Sequence, residues 1–265
     1  MLRRPRPVGL VTMAVALVAG VLAALVPAGP APAASGWVGT DISWPQCHAA
    51  STAGYPFVVV GVTGGRPHTA NPCLATQWAA TAGSRAAVYV NVAYPRSTAE
   101  WTAGPKSCPV DDGACRAWNA GWGQAAAAVR TGAAGGVDAG TWWLDVETAN
   151  PWSSNAALNV AVLQGAVAGL ADAGRHVGVY STPSMWAAIT GGWSAGLPVW
   201  LAVGVPGSNP AGHCTRSFAG GPIAMVQWVA GDRDIDLVCG WSEAQAATLF
   251  DRGRPLWAIR SHPAP

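Results

Sequence analysis

The feature that most constrains the fold is a regular alternation of short apolar runs with longer alanine-rich segments. The apolar runs cover residues 36–43, 56–63, 86–93, 141–147, 176–181, 198–203, 223–229 and 235–238. Helices are predicted between or after them at residues 74–82, 114–131, 156–173, 183–189 and 243–252. Strands that alternate with helices build a parallel sheet. We therefore predict an α/β fold, a single (β/α)8 barrel of the TIM type with short or missing late helices. A doubly wound open sheet is the alternative, although no GxGxxG or P-loop motif supports it.

The first 34 residues resemble a secretory signal peptide. Arg3, Arg4 and Arg6 precede an apolar run over residues 8–26, and Ala31-Pro32-Ala33 supplies an A-x-A cleavage site. The run is also long enough for an uncleaved membrane anchor, but the small-residue site favours cleavage. The paired arginines leave open whether export uses the general or the twin-arginine route. We predict a signal peptide at 1–34, one barrel domain at 35–254 and a tail at 255–265.

Removal of the signal region changes the charge balance of the chain. The region holds three of the 15 Lys and Arg residues and no acid, so 12 basic residues remain against 13 acidic ones. A net charge near zero gives no electrostatic footprint for nucleic acid or for an anionic membrane. We therefore expect no nucleic-acid partner and no membrane association after signal cleavage, and we expect a monomer.

All six cysteines follow the signal region, and an even number in an exported chain predicts disulfides. Six cysteines allow 15 pairings. We predict that neighbours in sequence pair, each bond closing a loop between successive elements. The predicted bonds are Cys47–Cys73, Cys108–Cys115 and Cys214–Cys239. No CxxC or HxxxH spacing suggests a metal site, so we expect neither a metal nor a cofactor.

Polar residues recur where the predicted strands end, which is where barrel enzymes place their active sites. A single polar residue at a strand end is usually a helix cap, but here seven of the eight runs carry one. These strand-end residues include Asp41, Ser43, Thr63, Tyr89, Asn91, Asp145, Glu147, Tyr180, Ser181, Gln227 and Asp236.

The fourth run, Thr141-Trp142-Trp143-Leu144-Asp145-Val146-Glu147, ends in two acids spaced two residues apart. Residues i and i+2 of a strand share a face, so both carboxyls project side by side while Leu144 and Val146 face a helix layer. The alternative interpretation is an ion pair or a helix cap. In the eighth run Asp234 competes with Asp236, and we expect Asp234 to be the more exposed of the two.

Fifteen tryptophans against three phenylalanines is an unusual balance, because phenylalanine is the common core residue. An indole ring offers a flat apolar face suited to stacking on sugars. The tryptophans placed just beyond strand ends or in the loops after them are Trp44, Trp152, Trp186 and Trp228. The alternative for each is an ordinary core position.

Several short motifs together resemble family 25 glycoside hydrolases, which are exported lysozymes. The motifs are Asp41-Ile42-Ser43-Trp44, Leu144-Asp145-Val146-Glu147, Gly178-Val179-Tyr180-Ser181, Val199-Trp200-Leu201-Ala202, Val226-Gln227-Trp228 and Ile235-Asp236-Leu237. They occur in the order expected for that family and span nearly all of the chain after the signal region. The chain is most similar to a secreted, disulfide-bearing actinobacterial branch.

The resemblance implies a short-helixed barrel that cleaves peptidoglycan between N-acetylmuramic acid and N-acetylglucosamine. It implies Glu147 as general acid, with Asp145 beside it and with Asp41 and Asp236 facing it. Asp145 could instead orient the N-acetyl group of the substrate for internal attack. The expected substrate-binding residues are Ser43, Trp44, Tyr89, Asn91, Tyr180, Trp200, Gln227 and Trp228.

One departure from the family keeps a second interpretation open. Members often carry a K-A-T-E-G-like end on the second strand, where this chain reads Gly61-Val62-Thr63-Gly64-Gly65. Two polar groups are thus absent from the predicted mouth. The hypotheses are therefore a secreted cell-wall glycosidase, or a catalytically weak or inactive barrel that binds wall polysaccharide.

Overall fold

The computed structural model describes residues 37–48, 52–204, 209–240 and 242–251. Eight strands close into a barrel in chain order. They are β1 (Val38–Ile42), β2 (Phe57–Gly61), β3 (Arg85–Asn91), β4 (Thr141–Asp145), β5 (His176–Ser181), β6 (Leu197–Ala202), β7 (Gly220–Ala230) and β8 (Arg233–Val238). The predicted barrel is confirmed.

Every predicted helix is present, with ends displaced by a few residues. The helices are α1 (Leu74–Ala80), α2 (Thr98–Trp101), α3 (Gly113–Ala134), α4 (Ala156–Asp172), α5 (Pro183–Thr190) and α6 (Glu243–Thr248). The short α2 was not predicted; Ser97 caps it by accepting a hydrogen bond from the backbone N–H of Glu100. No helix among the described residues is long and apolar enough to cross a membrane. The predicted signal peptide and the tail from residue 255 lie outside the described residues.

The eighth strand departs from a fully parallel barrel. Strands β1 to β7 run parallel, but β8 pairs antiparallel with both β7 and β1. Only Gly231 and Asp232 separate β7 from β8, so the connection is a tight hairpin that has no room for a crossover helix. The helix expected to be missing late in the chain is the one between β7 and β8, where the hairpin reverses the strand direction instead.

The period-two pattern of the strands separates two layers of core. Side chains such as Val58, Val88 and Leu144 face outward and pack against the helices. Alternating positions such as Phe57, Trp143 and Trp200 fill the interior, where Phe250 after α6 covers one end. Full burial of such side chains contributes about 1.5–3 kcal/mol each, so this core holds the strand ends in fixed positions.

All three predicted disulfides are present, joining Cys47 to Cys73, Cys108 to Cys115 and Cys214 to Cys239. The first ties the segment after β1 to the start of α1. The third ties the segment after β6 to the end of β8. Both therefore fasten loops around the barrel.

Candidate active site

A cleft of about 190 Å³ opens at the carboxyl ends of the parallel strands. Seven of the eight strands, or the residues just beyond them, contribute side chains to it. Its lining residues are Asp41, Tyr89, Asp145, Glu147, Tyr180, Trp200, Gln227 and Asp234. Four of the eight are acids and none is basic, so an arginine does not neutralise the cluster.

The first acidic pair comes from β4 and the residues just after it. Asp145 is buried and Glu147 is half-buried, and both face the cleft as the strand periodicity predicts. The Asn91 side-chain amide donates a hydrogen bond to Asp145 Oδ2. Thr63 Oγ1 donates in turn to Asn91 Oδ1 at 2.6 Å, which fixes the orientation of that amide. The polar end of β2 thus positions a catalytic candidate on β4.

Asp145 and Glu147 form a pair of carboxyls whose pKa values are both raised. Asp145 Oδ1 is buried and accepts no hydrogen bond from an N–H or hydroxyl donor of the described residues. Burial raises the pKa of Asp145 well above its usual range, and the charge of Glu147 raises it further. Burial also raises the pKa of Glu147, whereas the hydrogen bond from Asp145 lowers it. These effects favour a proton on Asp145 over a proton on Glu147.

The second acidic pair joins β1 to β8. Burial and the charge of Asp234 raise the pKa of Asp41 to about 7, although hydrogen bonds from Gln227 and Asp236 oppose the rise. Gln227 Nε2 donates to Asp41 Oδ2 at 2.7 Å. Asp236 Oδ1 accepts from Trp200 Nε1 at 2.8 Å, while its Oδ2 finds no such donor among the described residues.

Burial raises the pKa of Asp236 well above its usual range, and the charge of Asp41 adds to this effect. Both effects favour the protonated form of Asp236. The two pairs repeat one arrangement, in which a deeper protonated acid supports a partner at the cleft.

The direction of β8 decides which of its acids reaches the cleft. Asp234 lies opposite Asp41 in the β1–β8 register and lines the cleft, whereas Asp236 is 0% exposed and lies beneath. Asp236 was expected at the mouth because strands of a parallel barrel end there. An antiparallel strand begins there instead, so its earlier acid reaches solvent. The expectation that Asp234 is the more exposed acid matches the structure.

Aromatic rings form the floor of the cleft. The Trp200 ring contacts Tyr180 edge-on at 4.6 Å between centroids and Tyr89 at 6.2 Å. The Tyr180 hydroxyl donates to Gln227 Oε1 at 2.7 Å. A Cβ atom at Gly61 on β2 would lie 2.7 Å from the Tyr89 ring, so this glycine is needed for space.

Four of the expected substrate-binding residues do not line the cleft. Asn91 is buried behind Asp145, and Ser43 is buried beside Tyr89. Trp228 follows the inward-facing Gln227 on β7 and therefore faces outward. Trp44 lies just beyond β1 and is 49% exposed, which leaves it accessible at the rim of the barrel.

The two other tryptophans considered for sugar stacking also have structural roles. Trp186 is buried and stacks on Trp193, with 5.9 Å between the ring centroids. Trp152 is half-buried and donates its indole N–H to the backbone oxygen of Glu147 at 2.9 Å. Their position in sequence gave no signal that distinguishes packing from sugar binding.

Metal ligands are not grouped in the part of the chain that the structure describes. No cluster of three or more His, Cys, Asp or Glu side chains there has an arrangement that could hold an ion. The acids pair with one another instead, Asp145 with Glu147 and Asp41 with the deeper Asp236.

Comparisons with known proteins agree with this geometry. A family model described as "Lysozyme-like protein 1" matches residues 114–219. Two curated relatives from Dictyostelium discoideum, "Probable GH family 25 lysozyme 4" and "Probable GH family 25 lysozyme 2", are 42% and 43% identical over 65 residues. Each match covers 24% of this chain and 30% of the relative, so the chain aligns with under a third of those proteins.

Solved structures match over much more of the chain. The bacterial lysozyme from Streptomyces coelicolor is 20% identical with a TM-score of 0.52, over 83% of this chain and 99% of that one. A family GH25 lysozyme from Aspergillus fumigatus is 20% identical with a TM-score of 0.55, over 81% and 98%. The modular Cpl-1 endolysin, solved with a peptidoglycan analogue, is 17% identical with a TM-score of 0.50, over 76% and 54%.

These matches confirm the resemblance to family 25 glycoside hydrolases and the barrel that it implies. At such identities the structural likeness shows the fold. The assignment to an actinobacterial branch stays a prediction.

Proposed function

We propose that this chain is a secreted glycoside hydrolase that cleaves cell-wall glycan, with peptidoglycan as substrate in the manner of an N-acetylmuramidase. The observation that carries the proposal is the pair of proton-sharing carboxyl dyads in one aromatic-floored cleft. Glycosidic cleavage requires one carboxyl that keeps its proton and another that ionises, and these dyads supply both. The disulfides support export to an oxidising compartment.

Glu147 is the proposed general acid. It is the less buried member of its dyad, and it can receive the shared proton along the hydrogen bond from Asp145. Passing that proton to the glycosidic oxygen lets the leaving sugar depart as an alcohol rather than an alkoxide. Asp145 then takes the role of proton reservoir, held in place by Asn91.

The wall formed by β1 and β8 supplies the negative charge. Asp41 and Asp234 lie opposite each other in register, so ionisation of one opposes ionisation of the other. A carboxylate there stabilises the positive charge that develops at the anomeric carbon. Asp236 does not line the cleft, so it influences the chemistry only through the pKa of Asp41.

The second candidate is a barrel that binds wall polysaccharide with little or no catalysis. Gly64 and Gly65 follow β2 and leave that part of the mouth without a charged side chain, which favours this alternative. The presence of both dyads favours the enzyme.

The discriminating experiment incubates the chain without residues 1–34 with purified peptidoglycan and analyses the released fragments by mass spectrometry. Fragments with a new reducing end at N-acetylmuramic acid support the muramidase. A reducing end at N-acetylglucosamine would change the bond assigned. Bound but uncut glycan would favour the binding protein.

A further inference from the structure

A second cavity, of about 450 Å³, lies between the loops that follow β2, β3 and β4. We call it the loop cavity. Its lining differs in chemistry from that of the cleft, and no motif in the sequence marks it. The lining residues that matter here are Arg66, His68, Tyr94, Arg96, Glu100 and Asn150.

Two unpaired arginines give the loop cavity its charge. Arg66 and Arg96 are exposed, and neither guanidinium group has a hydrogen bond or ion pair with a described residue. Glu100 is the acid of the lining, but it is engaged in capping α2. Its Oε1 accepts hydrogen bonds from Ser97 N at 3.1 Å and from Ser97 Oγ at 2.8 Å. Both arginines therefore remain available for an anion from solvent.

A buried amide adds a second, independent feature. Asn150 is only 6% exposed, yet it lines the loop cavity and its side-chain amide has no hydrogen-bond partner among the described residues. Its amide atoms are not fully enclosed, so they are open to a ligand that enters the cavity. The side-chain amide offers two N–H donors and one acceptor oxygen. A peptide group of a ligand can therefore accept from its NH2 group and donate to its oxygen.

The loop cavity begins one residue along the chain from the cleft. Glu147 lines the cleft, and residues 148–151 line the loop cavity. The turn between them is fixed, because the Glu147 backbone oxygen accepts from Asn150 N at 3.2 Å and from Trp152 Nε1 at 2.9 Å. The chain segment that carries Glu147 into the cleft therefore also lines the loop cavity.

We propose that the loop cavity binds the peptide stem of peptidoglycan, with Arg66 and Arg96 pairing with its carboxylates and Asn150 with its amide groups. This inference rests on the proposed function, since the stem branches from the muramic acid ring whose glycosidic bond would be cut. A guanidinium fork suits a carboxylate, and the stem supplies free carboxylates and secondary amides together. The chain thereby prefers wall glycan that still carries its peptides.

The test measures binding rather than cleavage, by calorimetric titration of three ligands at low salt. The ligands are a disaccharide that carries the peptide stem, the same disaccharide without it, and the free peptide. The double variant Arg66→Gln/Arg96→Gln should lose about tenfold or more in affinity for the stem-bearing ligand. Its affinity for the bare disaccharide should not change. Arg130→Gln removes an exposed charge from α3, far along the chain from either cavity, and serves as the matched control.

Asn150→Asp provides a second variant, since a carboxylate there repels the stem while preserving side-chain volume. It should weaken binding of the stem-bearing ligand, and the melting temperature shows whether the fold is intact.

Equal affinity of the wild-type chain for the stem-bearing and bare disaccharides would overturn the inference. The inference would also be overturned if a glycerol-phosphate oligomer displaced the stem-bearing disaccharide while the free peptide did not bind. That result would assign the cavity to a phosphodiester wall polymer. A chain that binds the stem through these arginines but cuts no glycan would refute the hydrolase and leave the loop cavity assigned.

Discussion

The cleft and the loop cavity lie side by side but are built in opposite ways. The cleft takes its acids from strands, and Asp41 and Asp145 are buried there, which raises the pKa of both carboxyls. The loop cavity takes its arginines from loops and leaves them exposed, with no partner for either guanidinium group among the described residues. Burial on a rigid strand is needed where a proton must be held, whereas exposure on a loop suits a charge that must meet a ligand.

This difference also separates the energetic roles of the two regions. Buried acids destabilise the folded chain once they ionise, so the cleft costs folding free energy that the barrel core must offset. Exposed arginines cost almost nothing, because water solvates them in both the folded and the unfolded chain. Substitutions in the cleft should therefore change both stability and catalysis, and substitutions in the loop cavity should change binding alone.

The largest expected effect belongs to Glu147→Gln. The substitution removes the transferable proton and keeps the shape, so cleavage of any glycan should fall by about 10²–10⁴-fold. Binding of the stem-bearing disaccharide should persist, since the arginines are untouched. The rate of release of reducing ends, measured beside the melting temperature, checks this. A variant that keeps more than about a tenth of the rate would contradict the assignment.

The next effect is on stability and depends on pH. The folded pKa of Asp41 is raised to about 7 from 3.8, so the folded chain holds more protons than the unfolded chain between these values. Stability should therefore fall as pH rises from about 4 to about 7, by up to about 4 kcal/mol for this group. Asp41→Asn should flatten that fall and raise stability at pH 8. Urea unfolding at several pH values measures it, and an unchanged slope would contradict the burial argument.

Asp234→Asn should have a smaller effect, on the pH profile of cleavage. The charge of Asp234 raises the pKa values of Asp41 and Glu147, so its removal lowers both. The pH–rate profile should move to lower pH, with a loss in kcat below about tenfold. Asp236→Asn is the comparison, because an amide there mimics the neutral acid and can still donate to Asp41. A larger loss from Asp236→Asn than from Asp234→Asn would show that the buried acid reaches the substrate.

The smallest effect is a salt dependence confined to the loop cavity. Charges in solvent are screened over about 8 Å at 0.15 M salt. The KM for stem-bearing glycan should therefore rise severalfold between low and high salt, while the KM for bare glycan oligomers stays constant. Equal salt dependence for the two substrates would indicate that the arginines do not bind the stem.

Much of the fold was predictable because its signals are local. The apolar runs and alanine-rich segments mark all eight strands and five of the six described helices, since periodicity and composition act over a few residues. The placement of Asp145 and Glu147 on one face follows from the same period. The three disulfides join cysteines that are neighbours in the order of cysteines along the chain, although two of the bonds enclose whole strands.

Residues placed by distant contacts could not be assigned from the sequence. Trp186 and Trp228 are of a residue type and at sequence positions suited to sugar binding. In the structure, Trp186 is buried in the core and Trp228 faces outward. The loop cavity combines Arg66, Arg96 and Asn150 from three separate loops, and no spacing in the sequence connects them. Such groupings depend on which loops the closed sheet brings together.

The last strand, β8, separates what local sequence specifies from what distant contacts specify. That Asp234 and Asp236 share a face of a strand follows from local sequence, because alternation depends only on the extended backbone. The tertiary structure decided which of them reaches the cleft. The two-residue connection after β7 turns β8 back along the barrel, so its first acid, and not its second, lies beside Asp41 at the mouth. Strand direction depends on pairing with β7 and β1, and those contacts lie far outside any local pattern.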